Sequence, residues 1–160
     1  MIRRLARPML ASVFVTGGLD ALRQPGGRVE MSAPLVKRMS DLAGTPDDPE
    51  LAVRANGALM ALSGLLLATG RVPRVASLAL AGSLVPTTLA GHPFWSQKDP
   101  AARKQHQTQF FKNLSLLGGL IIASADTAGK PGLAWRAQNT TKAVRREARL
   151  AKAQARLAMR

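Results

Sequence analysis

The sequence predicts an all-α protein: a four-helix transmembrane bundle with a short amphipathic helix in its first loop and a basic helix or tail at its C-terminal end. Three observations lead there. Two uncharged stretches, Ala55–Gly70 and Val75–Gly91, are joined only by the basic turn Arg71-Val72-Pro73-Arg74, so they fold back on each other as antiparallel helices. Two further apolar runs, one near the N-terminus and one after Phe110, give four in all. Finally, the charges are unevenly divided between the connectors.

Composition sets the bounds. The 160 residues suit one domain, and a 46% hydrophobic content with mean hydropathy near zero averages apolar blocks with very basic connectors. Cysteine is absent, which excludes disulfides, thiol chemistry and Cys-ligated metal. The net charge of +14 calls for an anionic neighbour: nucleic acid, anionic lipid or an acidic protein. A soluble basic nucleic-acid binder is the weakest of these, since it rests on charge without a recognised motif or interleaved aromatics.

The first apolar run follows Arg3, Arg4 and Arg7 and extends to Leu19, giving a helix over 5–23. A secretory signal has a similar start, but Asp20 and Arg23 stand where a small-residue cleavage site belongs, so a retained membrane helix is expected. The turn Gln24–Gly27 precedes a short helix over 33–43, whose Leu35, Met39 and Leu42 share a face suited to a membrane interface. GTPDDP breaks that helix.

The hairpin helices span 51–70 and 74–91. About 16 residues at ~1.5 Å each reach roughly 24 Å against a bilayer core of about 30 Å, a marginal span that flanking Arg54, Arg71 and Arg74 could stretch by snorkelling outward. A polar loop then runs to Gln109, and the fourth helix covers 110–126. Trp95 and Trp135 lie just outside apolar segments, as interface anchors do. Gly57, Ala61, Gly64 and Ala68 form one small-residue stripe, and Ser115, Gly119 and Ala123 another, at spacings that let helix backbones approach in lipid.

Threading the four helices with the N-terminus inside puts fourteen basic and two acidic residues on the inner side, a net +12. The outer side receives nine basic and seven acidic, a net +2. This follows the positive-inside rule and predicts a multi-pass cell-membrane protein with both termini cytoplasmic.

Two stretches, NGALMALSGLLLATGRVPRVASLALAGSLVPTTLAGHPFW and QFFKNLSLLGGLIIASADTAGKPGLAWR, resemble the DoxX family of bacterial membrane proteins, most of all its actinobacterial branch. The resemblance runs from Ile2 to Arg136. His92-Pro93-Phe94-Trp95, Phe111-Lys112-Asn113 and Gly118-Gly119 are its most specific parts. It implies a four-helix transmembrane bundle with cytoplasmic termini and an association with membrane redox systems, including thiosulfate:quinone oxidoreductase and oxidative- or thiol-stress complexes. It supplies no catalytic motif that maps onto this chain.

The residues offer little chemistry directly. There is no HExxH, Cys/His cluster, GxGxxG or Walker pattern, and the serines lack identifiable His/Asp partners. His92 and His106 are separated by loop and suggest no metal site. The threading does gather Asp20, Arg54, Asn56, His92, Lys112 and Asn113 at the outer ends of the helices. Such a cluster is either a pocket for a quinone headgroup or lipid, or else a structural network tying helix ends together or simply charges in headgroup water, and the residues favour the second reading. Asp20 is expected to pair with Arg54 or Lys112. The tail, Arg136–Arg160, carries eight basic residues and one Glu. Its Arg145, Arg146, Arg149, Lys152 and Arg156 suit an anionic leaflet or an acidic protein partner. The expected role is a non-catalytic membrane subunit or scaffold of a redox-associated complex, with a quinone-binding oxidoreductase subunit as the alternative.

Overall fold

The computed structural model describes residues 2–127 and 133–158; within the second stretch, side chains are described at residues 135 and 138–150. Lys130, counted on the inner side of the predicted threading, lies outside the described residues. The chain divides into two compact units, Met1–Ala125 and Asp126–Arg160. The first holds α1 (Ile2–Arg23), α2 (Gly27–Ala43), α3 (Pro49–Ala68), α4 (Pro73–Gly91), a 3-10 turn (Phe94–Ser96) and α5 (Pro100–Ala125). The second holds α6 (Leu133–Ala158). No strand occurs among the described residues.

Helix starts follow local chemistry. The Asp48 carboxylate accepts from the Leu51 amide at 3.0 Å, and Pro49 takes the first helical position, so α3 starts two residues before the predicted 51. Asp99 plays the same part before Pro100, accepting from the Ala102 amide at 2.8 Å. This cap corrects the predicted start of the last apolar helix: α5 begins at Pro100, and the expected polar loop up to Gln109 is its first turns. The α2 helix likewise starts at Gly27 and continues through Pro34, earlier than the predicted 33. It buries Val36, while Met39 and Leu42 stay exposed. Between α3 and α4, Gly70 (φ 71°) and Val72 (φ 42°) both take left-handed backbone, the second a strained choice for a β-branched residue.

Direction alternates through α1, α3, α4 and α5. On α1, Val15 and Gly18 lie against Gly64 and Gly57 of α3 in reverse order. Asn56 of α3 bonds Ser83 of α4, and Asn113 of α5 bonds Thr88 of α4. At the opposite end, Arg74 at the start of α4 donates to the Ser124 carbonyl at the end of α5 at 2.8 Å. The core joins Ala11 and Phe14 of α1, Leu67 of α3, Ala76, Leu80 and Leu84 of α4, and Leu120 of α5.

The α3 stripe does what its spacing predicts. A Cβ on Gly57 would come within 2.8 Å of the Gly18 carbonyl oxygen, and one on Gly64 within 2.8 Å of Val15 Cγ2. These two helices therefore touch backbone to backbone. The α5 stripe does not. Ser115 is exposed, and a Cβ on Gly119 would meet only the flexible end of Leu10. α5 meets the core through large side chains instead: Leu120 is fully buried and Leu116 and Leu117 pack beside it, while Leu114 stays exposed.

Among the described residues, three helices are long and apolar enough to cross a membrane: Ile2–Arg23, Pro49–Ala68 and Pro73–Ser96. α5 is not among them, since its uninterrupted apolar part begins only after Lys112-Asn113. The apolar helices leave Leu62, Leu78, Val75, Ile121 and Ile122 more than half exposed, which suits contact with lipid.

Candidate functional site

The six residues predicted to cluster fall into separate groups of contacts. Asp20, at the end of α1, pairs with Arg28 at 2.6 Å, which corrects its expected partnership with Arg54 or Lys112. The turn Gln24–Gly27 brings Arg28 back over α1, where the same guanidinium also donates to the Gln24 carbonyl at 3.1 Å. Arg54 pairs with Glu50 one turn earlier at 2.8 Å and donates to the Leu22 carbonyl at 3.3 Å. That i,i+4 Glu–Arg spacing was a readable signal for a local pair.

The second group is buried more deeply. The Ser83 hydroxyl donates to Asn56 Oδ1 at 2.6 Å, and Asn56 Nδ2 reaches Thr87 Oγ1 at 3.4 Å. From the other side, Asn113 Nδ2 donates to Thr88 Oγ1 at 3.0 Å. Thr87 and Thr88 in turn donate to the carbonyls of Ser83 and Leu84, each at 2.7 Å. α4 is thus a polar spine stitched to α3 by one asparagine and to α5 by another. Ser83 and Thr88, which complete the bonds, were not predicted; they stand at i, i+5 on α4, beside Asn56 and Asn113 only once the helices are packed. Each such bond between apolar helices contributes on the order of 0.6 kcal/mol.

The third group is aromatic. The His92 and His106 rings lie 5.6 Å apart, tilted by 56°. Beside them in sequence, Phe94 meets Trp95 and Phe110 edge-on at 5.2 and 5.4 Å, and Trp95 meets Phe110 at 6.0 Å. The early start of α5 explains the histidine contact, because the 3-10 turn reverses the chain and His106 rides on a helix and not in a loop. Lys112 is exposed and lines an open groove on α5 with Lys104, Gln107, Thr108, Phe111 and Ser115, all from one helix.

In the second unit, Trp135 is exposed, as are Arg145, Arg146 and Arg149 on α6. The side chains of Lys152 and Arg156 lie outside the described residues.

Chemically, the buried polar groups of α3, α4 and α5 are occupied with one another. Asn56 and Ser83 bond each other across α3 and α4, Asn113 donates to Thr88 across α5 and α4, and the Thr88 hydroxyl donates to the Leu84 carbonyl within α4. Among the described residues no group of three or more His, Cys, Asp or Glu is placed to hold a metal ion.

The family model described as DoxX matches residues 3–93, more than half of the chain. No curated protein and no solved structure matches it. The match ends at Pro93, so Phe111-Lys112-Asn113 and the Gly118-Gly119 pair lie beyond it. The matched region contains α1 but for Ile2, and all of α2, α3 and α4; among the described residues α1, α3 and the span that opens with α4 are apolar and long enough to cross a membrane, and the chain is a membrane protein of the DoxX family.

Proposed function

We propose that the protein is a non-catalytic membrane subunit that holds a redox protein at the cell membrane. The observation that carries this reading is the hydrogen bonding of Asn56 and Asn113 into α4, which ties helices together and leaves these groups engaged with the fold. In this reading α1, α3, α4 and α5 form a four-helix transmembrane bundle, with α5 the shortest span. α2 lies at the outer interface, and Trp95 and Trp135 serve as interface anchors. The +12 against +2 division of charge supports cytoplasmic termini. The exposed arginines of α6 suit an anionic leaflet or an acidic partner surface.

Orientation is tested with reporter fusions at Gly44, Arg74 and Gln105. Gly44 and Gln105 are expected outside and Arg74 inside; an external Arg74 defeats the threading. The role is tested by affinity purification of the full chain in mild detergent. A redox enzyme should co-purify in near-stoichiometric amount, and recovery of the chain alone from native membranes contradicts the scaffold reading.

A further inference from the structure

We infer that His92 and His106 form a two-imidazole site for a borderline divalent transition-metal ion of the Zn²⁺, Ni²⁺ or Cu²⁺ class. The chain has only these two histidines, and the fold brings them into ring contact from opposite sides of the turn between α4 and α5. Both Nδ1 atoms are buried from solvent, and neither has a hydrogen-bond partner. A buried imidazole nitrogen ordinarily has one, so two orphaned nitrogens on rings whose centres lie 5.6 Å apart point to a missing partner. The 56° tilt excludes parallel stacking as the reason for the contact.

The spacing fits one ion. Two imidazoles bound at about 2.0–2.1 Å to a tetrahedral ion hold their ring centres roughly 5–5.5 Å apart. The observed separation is 5.6 Å. With no thiolate and no group of three or more metal-ligating side chains among the described residues, the site offers nitrogen alone, which suits Zn²⁺, Ni²⁺ and Cu²⁺ and not Ca²⁺ or Mg²⁺. The rings themselves are half-buried, so the site has a route from outside. An ion there would clasp the end of α4 to α5, a role independent of whether the chain recruits a redox partner.

The test uses the full chain purified in mild detergent with a tag free of histidine, and Zn²⁺ alone as the probe. Calorimetric titration at pH 7.5 should give one ion per chain. His92→Gln or His106→Gln should each weaken binding by at least about tenfold, the loss that even outer-shell partners of metal sites cause. The thermal midpoint should rise with Zn²⁺ in the native chain and stay fixed in the double variant. Should the variants fail to fold, diethyl pyrocarbonate supplies the readout, because Zn²⁺ should protect both native imidazoles from modification. No Zn²⁺ binding, binding unchanged in the double variant, or unprotected modification at saturating Zn²⁺ would each overturn the site.

Discussion

Gly18→Leu should abolish recovery of folded, monodisperse protein in detergent. A Cβ at Gly18 would lie 2.6 Å from the Gly57 carbonyl oxygen and 2.7 Å from the Ala61 amide nitrogen. Both are backbone atoms of α3, so no side chain can swing aside. Overpacking a well-filled interior typically costs about 1–3 kcal/mol, and a clash with helix backbone belongs at or above the top of that range. Separating the helices to admit the side chain would also open the contacts at Gly57 and Gly64, which line the same interface. Gly118→Leu is the matched control. A Cβ there meets nothing within 4 Å, so that variant should remain folded with a stability change within about 0.5 kcal/mol. Size-exclusion profiles and thermal midpoints of the two variants, measured side by side, decide the matter. Equal behaviour would remove the α1–α3 contact as the organising interface.

Deleting Lys142–Arg160 should release the co-purifying partner while leaving the first unit inserted and folded. The tail from Arg136 carries eight basic residues against one acidic, a net +7, and Arg145, Arg146 and Arg149 are exposed on α6. Attraction of that kind acts over about 8 Å at physiological ionic strength and weakens as salt rises. The native complex should therefore lose its partner progressively between about 0.15 M and 1 M salt, where screening shortens to about 3 Å. Partner retention by the truncated chain, or by the full chain in high salt, would show that the tail is not the recruiting element.

How far the sequence foretold these features differs from element to element. The hairpin of α3 and α4 was legible because its two apolar runs and the short Arg71–Arg74 joint admit one arrangement. The Gly57/Ala61/Gly64 stripe was legible as a close-packing face, but its partner was not. Gly18 shows its purpose only when α1 is laid antiparallel against α3. The start of α5 was hidden because Ala101–Gln109 is polar, and apolar periodicity is blind to a helix that begins in water. The Asp99-Pro100 pair was the available signal.

The candidate site divides the same way. Charge counting and helix lengths suggest a common level for the polar residues of the bundle. Their pairing was not legible, because it depends on rotation about each helix axis. Asp20 found Arg28 across a tight turn, and Arg54 found Glu50 within its own helix, both nearer in sequence than the cross-bundle partners that level alone suggested. The sequence does not relate His92 to His106, because the polar segment between them has the pattern of a loop; with α5 starting at Pro100, the two rings meet.

The most direct test of the scaffold account is an assay of the purified full chain alone. Thiosulfate or a small thiol serves as electron donor and a soluble quinone as acceptor, with quinone absorbance followed in mild detergent. The account predicts no turnover above the protein-free rate. Turnover by the chain alone that falls when Asn56→Ala or Asn113→Ala is introduced would contradict it, and would make the polar spine of α4 an active site.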